Sequence, residues 1–159
     1  MIVSIIGLGY IGLPTAAILA SKGVKVVGVD VNQNVVDTIN QGKIHIIEPG
    51  LEILVYQAVQ DNYLKAVTHP EKADVFMVAV PTPLNDNYEP DLSHIKSAAE
   101  AIAKVLERGN LVILESTSPV GTTEKMVEWM RESRSDLSFP KFGEDKFKAD
   151  IAVSHCPER

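Results

Sequence analysis

The chain alternates between short apolar runs and longer segments in which apolar residues recur every three or four positions. Continuous apolar runs are typical of parallel strands covered on both faces, and helical spacing is typical of helices that pack one face on a core. The runs predict strands at residues 2–6, 25–30, 64–68, 74–80, 111–116 and 150–155. The helical spacing predicts helices from residue 13 and over about 32–41, 51–60, 91–109 and 121–134. This alternation predicts an α/β fold with a doubly wound parallel sheet in the order 3-2-1-4-5-6.

Capping and stop residues set the ends of two of these helices. Asn32 and Asp91 can accept hydrogen bonds from the first N–H groups of the second and fourth helices. Gly42 and Gly109 suit the positions where those helices stop. The connecting segments are residues 44–50, 81–90 and 135–149, the second of them stiffened by three prolines.

Three glycines mark the turn between the first strand and the first helix. Gly7 lets the chain leave the strand through a tight turn that a Cβ would obstruct. Gly9 leaves room for a pyrophosphate to lie against the backbone, and Gly12 lets the helix pack closely on the sheet. The N–H groups and dipole of the first helical turn favour phosphate charge. A turn of this kind after a buried strand predicts a Rossmann-like dinucleotide-binding unit.

Asp30 ends the second strand, roughly 20 residues after the glycines, where an acidic side chain can accept hydrogen bonds from ribose hydroxyls. Its carboxylate would repel a 2′-phosphate, and Asn32, Gln33 and Asn34 offer no compensating cation. The sequence therefore favours NAD over NADP. Two other interpretations are an ordinary strand-to-helix turn and an S-adenosylmethionine-binding domain, and Gly12 argues against the second.

The bulk properties exclude several classes of protein. A formal net charge of −6 gives no basic surface for nucleic acid, and no stretch is apolar enough for a membrane span. The chain starts on a strand without the features of a secretory signal. One cysteine, Cys156, cannot form an internal disulfide, which predicts a reducing cytoplasm. The four histidines have no metal-ligand spacing, so we predict no metal site.

Three polar clusters follow later strands, and ligands of open α/β sheets bind at such strand ends. The first is Val80-Pro81-Thr82-Pro83, where Thr82 could reach a cofactor, although a proline-fixed turn explains the cluster equally well. The second, at residues 115–122, has hydroxyls, a glycine and a helix start, which suit either an anion or water site or a helix N-cap.

The third cluster, at residues 155–159, places Glu158 beside Arg159. This pair could perform acid–base work, hold a charged substrate or form a surface ion pair of little consequence. Cys156 has no partner that would make it a nucleophile, and a free cysteine usually behaves as a buried small hydrophobe.

With these clusters located, the chain resembles the N-terminal domain of the UDP-glucose/GDP-mannose dehydrogenase family. Within that family the resemblance is greatest to the branch that acts on UDP-N-acetyl-D-mannosamine. The carrying motifs span the chain in the family's order, at residues 7–14, 47–51, 80–83, 115–121 and 156–159.

The resemblance implies a four-electron oxidation of the C6 alcohol of a UDP-sugar to a carboxylate, with two NAD⁺, one water and an enzyme thioester. It implies NAD contacts at Tyr10, Ile11, Asp30, Thr82 and Thr117, beside the glycines, Val80 and Pro81. Thr117 would also help hold the reactive water. Glu158 would act as base in thioester hydrolysis, and Arg159 would contact the UDP-sugar substrate. The full-length enzyme is expected to be a homodimer or higher homo-oligomer.

The family's nucleophilic cysteine and catalytic lysine have no counterpart within residues 1–159. We therefore expect one N-terminal dinucleotide-binding domain from a longer enzyme, truncated before the central helix and UDP-sugar domain, that binds NAD and is inactive alone. Three alternatives are a stand-alone NAD-binding or redox-sensing module, a UDP-glucose-type dehydrogenase domain and a β-hydroxyacid-type dehydrogenase.

Overall fold

The described residues, which are 1–85, 87–141 and 149–156 of a computed structural model, form one parallel sheet with helices on both faces. The strand order is β3-β2-β1-β4-β5-β6, which confirms the predicted doubly wound α/β fold. The strands are β1 (Ile2–Ile6), β2 (Lys25–Val29), β3 (Leu64–Val67), β4 (Val75–Val78), β5 (Leu111–Leu114) and β6 (Ala152–His155). The helices are α1 (Gly12–Ser21), α2 (Gln33–Asn40), α3 (Leu51–Gln60), α4 (Ser93–Ala103) and α5 (Thr122–Ser133).

The sheet separates two apolar cores because successive side chains of a strand point to opposite faces. Ile5 belongs to the core that contains the apolar residues of α1, α2 and α3, whereas the next residue, Ile6, belongs to the core of α4 and α5. Phe76 in β4 is fully buried in this second core. Full burial of one such side chain contributes about 1.5–3 kcal/mol, so both layers are held mainly by apolar packing.

The register aligns the carboxyl ends of the central strands. Ile6, the last residue of β1, lies opposite Val29 of β2 on one side and Val78 of β4 on the other. The strand order reverses at this point, since β2 and β3 follow β1 on one side and β4 to β6 extend on the other. A doubly wound sheet forms its ligand crevice at such a position.

Asn40, at the end of α2, covers the outer edge of strand β3. Its side-chain oxygen accepts a hydrogen bond from the Ala66 N–H at 2.8 Å, and its amide nitrogen donates to the Ala66 carbonyl at 2.9 Å. An edge strand otherwise presents these groups for pairing with another chain. The side chain of Asn40 therefore takes the place of a further strand at this residue.

The helix ends agree with the prediction at α2 and differ at α4. The Asn32 side chain accepts a hydrogen bond from the Asn34 N–H, as expected of an N-cap, and Gly42 follows α2 with φ 73°. Helix α4 ends at Ala103, well before the predicted stop at Gly109. Arg134 satisfies the carbonyls at this end, since its guanidinium donates hydrogen bonds to the carbonyls of Ala103 and Leu106 at 2.8 Å each.

Asp91 precedes Leu92, the N-cap residue of α4, by one position. Its carboxylate accepts a hydrogen bond from the Ser93 N–H at 2.8 Å. The hydrogen bonds from Ser93 hold the pKa of the Asp91 carboxyl below its usual value. The predicted capping role of Asp91 is therefore confirmed, with a shift of one position in the helix start.

Candidate functional site

A cleft of about 460 Å³ lies at the carboxyl ends of β1, β2, β4 and β5. This volume is within the range of small-molecule sites in proteins. Three chain segments and one carboxylate line the cleft: residues 7–11, residues 79–82, residues 115–117 and Asp30.

The glycine turn of the cleft is fixed by contacts that exclude side chains. Gly7 has φ +94°, and a Cβ there would lie 2.6 Å from the Ala79 carbonyl oxygen. A Cβ on Gly12 would lie 1.8 Å from the Gly7 carbonyl oxygen. Gly9 differs, because a Cβ there would meet no protein atom within 4 Å. Gly9 also lines the cleft, so a ligand there can approach its backbone.

The amino terminus of α1 adjoins this open space. Tyr10 and Ile11 line the cleft, and among the described residues no side chain caps the helix at Ile11. The first N–H groups of a helix attract anions through their hydrogen bonds and the helix dipole. The turn and the helix start together suit a pyrophosphate.

Asp30 joins the ends of β1 and β2 through its carboxylate. One oxygen accepts a hydrogen bond from the Leu8 N–H at 3.1 Å, and the other accepts from the Asn32 N–H at 2.9 Å. Each carboxylate oxygen can accept more than one hydrogen bond, so Asp30 keeps capacity for ligand hydroxyls. Its position at the end of β2 matches the site of ribose recognition in dinucleotide-binding folds.

The opposite wall consists of the segments that follow β4 and β5. The Thr82 hydroxyl donates a hydrogen bond to the Thr117 carbonyl at 2.6 Å. Ser116 is buried, and its hydroxyl donates to the Val80 carbonyl at 2.7 Å. No hydroxyl of residues 116–118 caps α5, which begins after Gly121 without a side-chain cap in the described part of the chain. Gly121, a member of this cluster, is the N-cap residue of α5, so the cluster does form a helix start but its hydroxyls do not cap it.

The structure brings most of the predicted cofactor residues into this one cleft. Those lining it are Gly7, Gly9, Tyr10, Ile11, Asp30, Val80, Pro81, Thr82 and Thr117. Gly12 does not line the cleft and lies instead against the Gly7 carbonyl within the turn. Glu158 and Arg159, predicted as base and substrate ligand, lie outside the described residues.

Ser116 is a cleft residue that sequence reasoning did not single out by itself. It was part of a cluster of hydroxyls, and its contact with Val80 joins residues 36 positions apart, which no local pattern reveals. Cys156 lies beyond the end of β6, and its thiol is exposed rather than buried as its residue type suggested. Its backbone N–H donates to the Leu114 carbonyl and extends the pairing with β5.

Residues 1–85, 87–141 and 149–156 lack both a metal-binding cluster and a membrane-spanning helix. Within these ranges no group of three or more His, Cys, Asp or Glu side chains could hold a metal ion. In the same ranges no helix is long and apolar enough to cross a membrane.

The fold and the cleft define a dinucleotide-binding α/β domain, because a glycine turn, an uncapped helix start and a strand-end carboxylate meet at the reversal of strand order. The chain belongs to the UDP-glucose/GDP-mannose dehydrogenase family, whose NAD binding domain matches residues 1–159. NAD is thus the cofactor of this domain, and the open space at Gly9 and the acceptor oxygens of Asp30 fit it.

Relatives with named activities agree on the family. The chain is 66% identical over 159 residues to UDP-N-acetyl-D-mannosamine dehydrogenase of Campylobacter jejuni, covering 99% of this chain and 38% of the relative. It is 61% identical to NDP-N-acetyl-D-galactosaminuronic acid dehydrogenase of Ralstonia nicotianae, covering 99% and 37%. The solved structure of UDP-D-ManNAc dehydrogenase from Pyrococcus horikoshii superposes with a TM-score of 0.89 at 40% identity, covering 100% of this chain and 36% of that one. The chain therefore spans less than two fifths of these relatives.

Proposed function

We propose that the chain is the NAD-binding part of an enzyme that oxidises UDP-N-acetylmannosamine to UDP-N-acetylmannosaminuronate. Per sugar, the reaction converts the C6 alcohol and one water to a carboxylate and reduces two NAD⁺ to two NADH, with release of three protons. NAD⁺ supplies the hydride acceptor in both oxidations. One observation above others supports this proposal: Asp30 and Gly9 line the same cleft, and the space where a Cβ of Gly9 would lie is open.

The two ends of the cleft suit the two halves of NAD. Asp30 would accept hydrogen bonds from the adenosine ribose, and the turn with the α1 terminus would hold the pyrophosphate. The nicotinamide half would then lie along the segments after β4 and β5, beside Thr82 and Thr117. This placement follows from the two mononucleotide-binding halves of the fold.

For the whole enzyme, we propose roles for three further residues on the basis of the family motifs. Thr117 would help hold the water that attacks the thioester, and Glu158 would remove its proton. Arg159 would contact the sugar nucleotide. The resemblance to the Ralstonia relative supports a second candidate substrate, an NDP-linked sugar of the N-acetyl-D-galactosamine type, because the identity of 61% to that relative is only slightly below the 66% to the Campylobacter one.

Calorimetric titration with NAD⁺ and NADP⁺ tests the cofactor site. We expect this chain to bind NAD⁺ at least about tenfold more tightly than NADP⁺, because the Asp30 carboxylate repels a 2′-phosphate. Asp30→Ala should weaken NAD⁺ binding by about tenfold. Asp30→Asn should reduce the preference for NAD⁺ over NADP⁺, because it removes the negative charge but keeps an oxygen that accepts from the Leu8 N–H. Equal affinity of the unaltered chain for both dinucleotides would contradict the proposal.

Asp61→Asn is the matched control, since Asp61 is exposed and follows α3 just before the amino end of β3. It removes one negative charge without touching the cleft and should leave both affinities unchanged. A loss of NAD⁺ binding in this variant equal to that in Asp30→Asn would show that only net charge matters.

Activity of the chain alone is a separate test. Residues 1–159 contain no cysteine besides Cys156, which lies at the carboxyl end of β6 with its thiol exposed. We expect NAD⁺ binding but no NADH formation when UDP-N-acetylmannosamine is added to this chain. Absorbance of NADH measures the reaction, and a longer protein that continues past Arg159 should restore it.

A further inference from the structure

The segments after β4 and β5 are joined by a reciprocal pair of hydrogen bonds, which we call the hydroxyl clamp. Ser116, after β5, donates its hydroxyl to the Val80 carbonyl after β4. Thr82, after β4, donates its hydroxyl to the Thr117 carbonyl after β5. The donor–acceptor distances are 2.7 Å and 2.6 Å. Each segment thus supplies one hydroxyl and one carbonyl to the other.

The hydroxyl clamp lies just beyond the end of the backbone ladder between β4 and β5. Strands β4 and β5 pair in register up to Val78 and Leu114, and the N–H groups of Glu115 and Ser116 both donate to the Val78 carbonyl. Beyond Val78, the Ala79 N–H donates to the Ile6 carbonyl of β1, and Pro81 has no N–H. Side-chain hydroxyls therefore set the spacing of the two segments beyond the sheet.

We propose that Ser116 is a positioning residue for the nicotinamide half of NAD. It acts through its hydrogen bond to the Val80 carbonyl. Together with Thr82, it holds the two segments at the separation that this half of the ligand requires. The inference rests on the proposed function, because it assumes that NAD spans the cleft. Ser116 itself is buried and its hydroxyl is already bonded to protein, so its effect on the ligand is indirect.

The clamp also fixes the role of the Thr82 hydroxyl. A hydroxyl has one proton and two lone pairs, and the proton of Thr82 is directed to the Thr117 carbonyl. The oxygen can therefore only accept a hydrogen bond from the ligand. A ribose hydroxyl is a donor of this kind, whereas a phosphate oxygen or a carboxylate is not. The clamp thus selects a hydrogen-bond donor, such as a ribose hydroxyl or the carboxamide N–H of nicotinamide, for this wall of the cleft.

The adenosine half does not depend on the clamp. Its contacts come from the glycine turn and from Asp30, which are held together by the bond between the Asp30 carboxylate and the Leu8 N–H. Neither segment of the clamp contributes to that bond. Loss of the clamp should therefore affect a ligand with a nicotinamide riboside half and spare one without it.

Parallel titrations with NAD⁺ and ADP test this expectation, since ADP carries only the adenosine and diphosphate portion. Ser116→Ala should weaken NAD⁺ binding by roughly fivefold, as expected for one lost hydrogen bond, and change ADP binding by less than about twofold. Thr82→Val removes the second donor at constant volume and should show the same pattern. Thr82→Ser keeps the donor and should restore NAD⁺ affinity, which loss of packing alone would not allow.

Ser4→Ala is the control for the substitution itself. Ser4 is fully buried in β1, and its hydroxyl has no hydrogen-bond partner among the described residues. This variant removes the same atoms from the same sheet without touching the clamp, so both affinities should stay unchanged. Thermal unfolding of every variant shows whether it is folded, and if Ser116→Ala does not fold, Ser116→Cys, which has a similar volume but only a weak donor, takes its place.

The outcomes separate the two proposals. Selective loss of NAD⁺ affinity in the clamp variants supports the inference. Equal losses for NAD⁺ and ADP, or no loss for either, overturn it while the NAD-binding function stands. If the unaltered chain binds neither ligand, the proposed function fails, and the inference fails with it.

Discussion

The two halves of the cleft are built by different means. The half between β1 and β2 is shaped by the absence of side chains, since a Cβ on Gly7 or Gly12 would overlap backbone atoms. The half between β4 and β5 is shaped by side chains that are present, the hydroxyls of Ser116 and Thr82. The first half therefore tolerates no added side chain at Gly7 or Gly12, whereas in the second half each hydrogen bond can be removed singly.

Within the glycine turn, different residues are therefore needed for the stability of the fold and for ligand binding. Gly12 is required for the fold, because its neighbour is a backbone oxygen that cannot move aside. Gly9, three positions earlier, faces open space and is required only if a ligand occupies that space. Substitutions at the two glycines should therefore have opposite consequences.

Gly12→Ala should give the largest effect. The added Cβ would lie 1.8 Å from the Gly7 carbonyl oxygen, so α1 must move off the sheet. We expect a loss of about 3 kcal/mol or more, or roughly 10 °C in Tm, measured by thermal unfolding. A Tm within about 2 °C of the unaltered chain would show that α1 shifts at little cost.

Gly9→Ala should leave the fold intact and impair binding. The added methyl group meets no protein atom within 4 Å, and the stability change should stay within about 0.5 kcal/mol. It would occupy the space assigned to the pyrophosphate, so NAD⁺ affinity should fall by at least about tenfold. Calorimetry and thermal unfolding on the same sample measure both quantities. Unchanged NAD⁺ affinity would place the pyrophosphate elsewhere.

Asp91→Ala should give the smallest effect, and one that depends on pH. The pKa of Asp91 is lowered in the folded chain by hydrogen bonds from Ser93, so its stabilising effect is present above the unfolded value of 3.8 and is lost as the pH falls through the lower folded value. The variant should have a slightly lower Tm than the unaltered chain at pH 7. The difference should shrink as the pH falls below about 4, and a difference that persists in acid would contradict this assignment.

The sequence was sufficient for features whose cause is local. The strand order could be predicted from the alternation of apolar runs with helical segments. The glycine turn and Asp30 could be predicted because the size or charge of a single residue suits its position. The bond of Arg134 to the last carbonyls of α4 was missed because Arg134 is 31 positions from Ala103. The Ser116 bond to Val80 was missed for the same reason, since it forms only after β4 and β5 are paired.

The bond between Asp30 and Leu8 has a consequence for the evolution of cofactor choice. The carboxylate that we propose selects against a 2′-phosphate also supports the glycine turn. A lineage that exchanged Asp30 for a residue without a side-chain acceptor would alter both the turn and the cofactor preference in one step. A change to NADP would therefore require a compensating acceptor for the Leu8 N–H, and this requirement constrains the accessible mutational paths.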